Sequence, residues 1–252
     1  MEKHFECTAC GKCCQGWLPL TLPEALRHAD SFPLAVIWTP VKQGHKAFDI
    51  TAKLGWMTRS IDKKPLAIRI TPMAYIPSAM PCPFLTTENL CRIHLEKPSR
   101  CRTMPFFPYV EEQHQAEQLA LRPGWACNTS ESAPVVYRDK TIVMRDDFDQ
   151  ERADLIQQTA MLKAYAERIS AHMPIMAHWL TQASKKPGGG HVVVGFASLL
   201  SSLKRVDKTD IAHRQSSILL DFAAKTAPFP QFADYTKNYQ QWSLDYKPYL
   251  SG

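Results

Sequence analysis

The chain has 252 residues, 45% hydrophobic and 21% charged, a balance ordinary for a globular protein and long enough to bury a core without cysteine staples. A net charge of +6 without a dense Lys/Arg stripe gives no strong nucleic-acid signal, and no run approaches the roughly 20 apolar residues that a membrane helix needs. Sulfur is out of proportion: of eight cysteines, four fall in the eight residues Cys7-Thr8-Ala9-Cys10-Gly11-Lys12-Cys13-Cys14.

The first residues hold no apolar run of signal-peptide length, which predicts a cytoplasmic protein. There thiols stay reduced, and a cysteine cluster serves metal binding or catalysis rather than disulfide formation. Cys7, Cys10 and Cys13 stand at i, i+3 and i+6. Iron–sulfur loops of the bacterial ferredoxin kind use CxxCxxC with a further remote cysteine, whereas zinc sites more often use two separated CxxC hooks. Gly11 suits a turn with positive φ. Neighbouring side chains diverge, so Cys14 is expected either at a second site or as a buried apolar thiol. Cys10-Gly11-Lys12-Cys13 also has thioredoxin-type spacing, but too few residues precede it to supply the strand and helix that motif requires.

Beyond this loop, Thr21–Ser31 reads as a short helix, with Thr21 as N-cap and Pro23 and Glu24 in the first turn. A strand is expected over Pro33–Val41 and another over Leu66–Ile70, resuming at Met73–Ile76. Residues 42–65 are mixed. Four more thiols follow at Cys82, Cys91, Cys101 and Cys127. Eight and nine residues intervene between the first three, which fits ligands delivered from separate loops. His94, three residues after Cys91, reads either as a Cys/His hook or as a surface histidine on a short helix. Arg92, Lys97, Arg100 and Arg102 crowd these thiols and would offset the negative charge of a thiolate site.

This pattern resembles the YkgJ-type cysteine-cluster family, which carries a CxxCxxCC domain described as zinc- or iron-chelating. The matching residues are Phe5-x-Cys7-x2-Cys10-Gly11-x-Cys13-Cys14, Cys82-Pro83-Phe84-Leu85 and Cys91-x-Ile93. A variant of the family's closing segment follows at Lys97-Pro98-Ser99-Arg100-Cys101-Arg102-Thr103-Met104-Pro105, with Lys for Arg and Met for Phe. The resemblance spans residues 5 to about 127 and implies chelation through these cysteines, with no settled reaction. Flagellin lysine methylases are similar in having clustered cysteines, but no S-adenosylmethionine loop is found in this chain.

In the second half, Gln115–Arg122 reads as a strand, Pro134–Met144 as a hairpin, and Asp149–Ala171 as an amphipathic helix stopping before Pro174. Ile175–Leu180 is a further apolar piece. Lys185–Gly190 reads as a linker; it lacks the Lys and Ser/Thr of a phosphate loop. Val192–Leu203 and Asp210–Ala224 are expected to be helices, with a strand as the alternative at Val192–Val194. Phe229, Phe232, Tyr235, Tyr239, Trp242, Tyr246 and Tyr249 recur every three or four residues, one aromatic helix face. It is expected to dock on its own domain; the rival use is an unknown protein partner or stacked bases.

The expected architecture is α+β: an irregular cysteine-rich metal domain of short strands and loops over residues 1–147, and a helical extension over 148–252 packed on it. The expected function is metal binding, as an iron–sulfur cluster or zinc, through Cys7, Cys10, Cys13, Cys14, Cys82, Cys91, Cys101 and Cys127, with two sites as an option. Spacing favours Cys7, Cys10 and Cys13 plus one remote thiol at one site. The alternatives are a redox or metal-dependent enzyme, for which no HExxH or other catalytic base motif is present, and a zinc-stabilised interaction module.

Overall fold

A computed structural model describes residues 2–122 and 124–250. The architecture is α+β. Its centre is an antiparallel sheet built on two long strands, β3 (Leu34–Lys42) and β5 (Pro65–Ala74); the numbering also counts β1 (Glu2–His4), β2 (Leu18–Pro19) and β4 (Trp56–Arg59). β2 and β4 both pair with the outer side of β5. Two prolines inside the long strands fall where a missing N–H does no harm. Pro72 lies between the stretches of β5 covered by β4 and β2, and Pro40 lies past the last pairing of β3 with its other neighbour. The expected interruption at residues 71–72 is therefore absent, and β5 is continuous.

That other neighbour is β8 (Val192–Gly195), which follows β6 (Val135–Arg138) and β7 (Thr141–Ile142) in the chain. The expected helix over Val192–Leu203 is thus a strand followed by a single helical turn at Ala197–Leu200. Three successive valines have one stiff χ1 each and fit a pleated edge beside β3 better than a helix. Gly195 closes the strand where a Cβ would meet Trp242 Cδ1 at 2.7 Å. β1, β6 and β7 form a separate three-stranded sheet.

The helices are α1 (Leu22–Arg27), α2 (Phe48–Leu54), α3 (Ser99–Arg102), α4 (Asp146–His172), α5 (Ile175–Lys185), α6 (Ala197–Leu200), α7 (Lys208–Thr226), α8 (Ala233–Leu244) and α9 (Lys247–Leu250). α1 opens with a full capping box: Glu24 N–H donates to Thr21 Oγ1, and the Thr21 N–H donates to the Glu24 carboxylate. Positive φ at Gly188 and Gly189 forms the turn between α5 and β8.

The main core joins both halves of the chain. Phe32, Leu34–Trp38, Ile68 and Ile70 pack with Leu162, Tyr165, Phe196, Leu219 and Tyr239. A division at 147/148 falls in the first turn of α4. The aromatic stripe is not one helix: a 3-10 turn at Pro230–Phe232, α8 and α9 share it. Its inner members Tyr239, Trp242 and Tyr246 are buried in the chain's own core, and Tyr235 stacks on Tyr75 at 4.5 Å. Among the described residues no helix is long and apolar enough to cross a membrane.

Residues 115–122 are not a strand. Glu112–Leu119 winds as 3-10 helix, because the fully buried Gln115 satisfies three backbone groups locally. Its amide nitrogen donates to Phe107 O and Val110 O, and its amide oxygen accepts from Phe107 N–H.

Candidate metal centre

Each thiol is delivered by a short backbone connection rather than by a regular element. A two-way bridge between Glu6 and Asn128, with N···O distances of 2.8 and 3.0 Å, sets Cys7 and Cys127 on adjacent strands of chain. Thr8 Oγ1 donates to Ala126 O at 2.9 Å and pins the same two segments. On the far side of the loop, Cys82 N–H donates to Cys14 O at 2.8 Å, and Gln15 bridges Pro81. Leu85 bridges Cys91 around the Thr86–Leu90 turn, which folds Cys91 back toward Cys82. Gly11 carries a φ of +72°, and a Cβ there would meet Asn89 Oδ1 at 2.8 Å. The cysteine loop is thereby pressed against that turn, as the expected positive φ allows.

Cys101 sits in the single turn of α3. Ser99, at the start of that turn, donates both its N–H and its hydroxyl to Glu24 Oε1. Thr21-x-x-Glu24 spacing signals the capping box, but nothing in the sequence signals this second use of the carboxylate.

All eight cysteines are free thiols; Cys7 and Cys13 are exposed and the other six half-buried. Their electrostatic neighbourhoods fall into two groups. Cys14 feels Cys101, Cys82 and Cys91, and Cys101 feels Cys82, Cys13 and Cys91. Cys127 feels Cys10, Cys7 and Cys13. Cys13 borders both groups, and its sulfur lies 4.0 Å from that of Cys14. The thiols are gathered but not closed around a point. Among the described residues no three His, Cys, Asp or Glu side chains form one metal-holding group.

The thiol acidities follow from these surroundings. Backbone N–H groups of Ala126 and Lys12 hold Cys10 below the usual thiol range. Hydrogen bonding between Cys13 and Cys14 pushes Cys13 up and Cys14 down, so the two thiols titrate as a coupled pair. Burial raises Cys82 and Cys127, and raises Cys101 to about 12. A cation that replaces these protons would remove the mutual repulsion of the thiolates.

The basic residues near the thiols divide. Lys97 favours the thiolates of Cys13 and Cys101, and Arg92 that of Cys82. Arg100 instead turns inward to the Phe106 carbonyl and Glu151, and Arg102 holds Asp147 and the Lys97 carbonyl. His94 is exposed in the 3-10 turn His94–Glu96.

No curated protein and no solved structure matches the chain. One family model does, and its match encloses all eight cysteines. Residues 6–128, just under half of the chain, match the model of the CxxCxxCC family, described as a putative zinc- or iron-chelating domain.

Proposed function

We propose that the eight thiolates form two adjacent four-sulfur metal sites: Cys7, Cys10, Cys13 and Cys127 at the first, and Cys14, Cys82, Cys91 and Cys101 at the second. The supporting observation is the grouping of the thiols around the Cys13–Cys14 junction, each group mixing the opening loop with distant segments. Sulfur-only donor sets fit zinc and iron–sulfur clusters alike. The first site has the i, i+3, i+6 hook, a remote fourth cysteine and backbone N–H groups directed at Cys10 sulfur, the features of an iron–sulfur loop. The second, drawn from separate loops, offers four thiolates to zinc or iron.

Metal at these positions would supply cohesion where apolar burial is scarce. Cys7–Ala9, Lys12, Cys13 and Thr87–Leu90 are exposed, so this end of the molecule has little core of its own. For a structural site the metal-binding free energy is folding free energy, on the order of 10 kcal/mol for zinc. An iron–sulfur cluster would add the capacity to carry an electron.

The test is iron, zinc and acid-labile sulfide per chain, with a visible spectrum, on protein purified without oxygen. The expected result is iron with matching sulfide at the first site and a second metal equivalent at the other. Folded protein that contains neither metal nor sulfide after such handling removes the proposal.

A further inference from the structure

Arg69, Thr71 and Met73 alternate along β5 and so share one face of the central sheet. Across the ladder, Thr39 stands opposite Arg69 and Ile37 opposite Thr71. Over this face, α3, α4 and the segment Phe107–Tyr109 leave a recessed pocket of about 40 Å³, room for a few waters or one small polar group. None of the eight cysteines lines it.

The pocket is built of polar groups with unfinished bonding. Arg100 and Glu151 are 6% and 4% exposed and approach to 3.3 Å, but not in hydrogen-bonding alignment. Arg100 Nη1 and Glu151 Oε2 therefore both lack a hydrogen-bond partner, as does Thr71 Oγ1, whose residue is 7% exposed. Arg69 lies against two aromatic rings, its guanidinium carbon 5.1 Å from the Phe107 centre and 5.0 Å from that of Tyr109. Among the described residues it has no carboxylate in ion-pair reach. Two guanidinium groups thus face one carboxylate, and a recessed cation without a counter-charge is costly.

The missing component is one negative charge with two acceptor atoms. The rings take up no N–H of Arg69 in a hydrogen bond, so its guanidinium can present a planar fork, which matches a carboxylate. Glu151 on the same wall repels a dianion, and Ile37, Met73 and Leu155 supply an apolar surface for a short alkyl group. We propose that this pocket binds the carboxylate group of a small aliphatic acid, with Arg69 as its principal partner.

Full-length, metal-loaded protein would be titrated by calorimetry with propionate, propionamide and inorganic phosphate. Saturable binding of propionate is expected, with the amide and phosphate each at least about tenfold weaker, because the amide lacks the charge, while phosphate lacks the alkyl group and as a dianion is repelled by Glu151. Arg69→Gln, checked for native circular dichroism, should weaken propionate about tenfold or more, and Thr71→Val should weaken it less. Propionate that does not saturate, phosphate that binds as tightly, or unchanged affinity in folded Arg69→Gln would each overturn the proposal. If Arg69→Gln does not fold, the three wild-type titrations and Thr71→Val still decide it.

Discussion

The carboxylate of Glu24 reaches from the first turn of α1 to Ser99, taking hydrogen bonds from its N–H and its hydroxyl at 2.6 Å each. One side chain thus caps one helix and fixes the start of the turn that carries Arg100 and Cys101. Glu24→Ala is expected to lose about 2 kcal/mol or more, because charged hydrogen bonds are broken and buried donors are left unpaired. Urea denaturation of metal-free protein would read that loss. The second metal site should also load more weakly than the first.

Cys13 and Cys14 are neighbours in sequence assigned to different sites. Cys127→Ser should therefore deplete the first site and spare the second, whereas Cys101→Ser should do the reverse. Metal and sulfide stoichiometry of the two variants checks this. Loss of all metal from both would show a single shared centre instead.

His28 is buried edge-on against Phe32 and Phe84, with Nε2 unpartnered. Burial, aided by Arg27, depresses its pKa. The folded state then binds fewer protons than the unfolded state as pH falls below about 6.5. Stability is full above that value and is lost as pH drops through the depressed folded pKa. His28→Leu should flatten this part of a plot of unfolding free energy against pH. A wild-type slope retained in the variant would assign it to another group.

Trp242 lies on Gly195 and contacts both Tyr75 and Tyr239. Trp242→Ala is expected to cost about 3–5 kcal/mol, as large-to-small core changes do. Deleting residues 228–252, which removes Tyr239 and Tyr246 as well, should give unfolded or insoluble protein. A soluble, metal-loaded truncation would instead return the aromatic segment to a role in binding a partner.

Local chemistry was readable where it acted alone. Thr21 is the helix N-cap that its residue type implies, Gly11 takes the positive φ its loop needs, and the long amphipathic pattern before Pro174 is α4. Residues 115–122 misled because Gln115 looks like a solvent-facing residue of a strand. Only its three bonds to Phe107 and Val110 show that it holds a buried turn. Val192–Val194 were ambiguous by period, and the free edge of β3 settled them. α2 and β4 were hidden in a stretch too mixed for any pattern.

By itself the sequence determined the thiol chemistry on offer: eight cysteines, half of them in one loop at a spacing suited to a metal, since residue type and short-range spacing are local properties. Which thiols become neighbours was decided only in three dimensions. That depends on backbone bridges such as Glu6–Asn128 and Cys14–Cys82, which join residues up to 122 positions apart. The same holds for the Arg69 pocket, where strand register and the packing of α4 bring charges together. Long-range pairing reflects the burial of the whole core, and no local spacing encodes it.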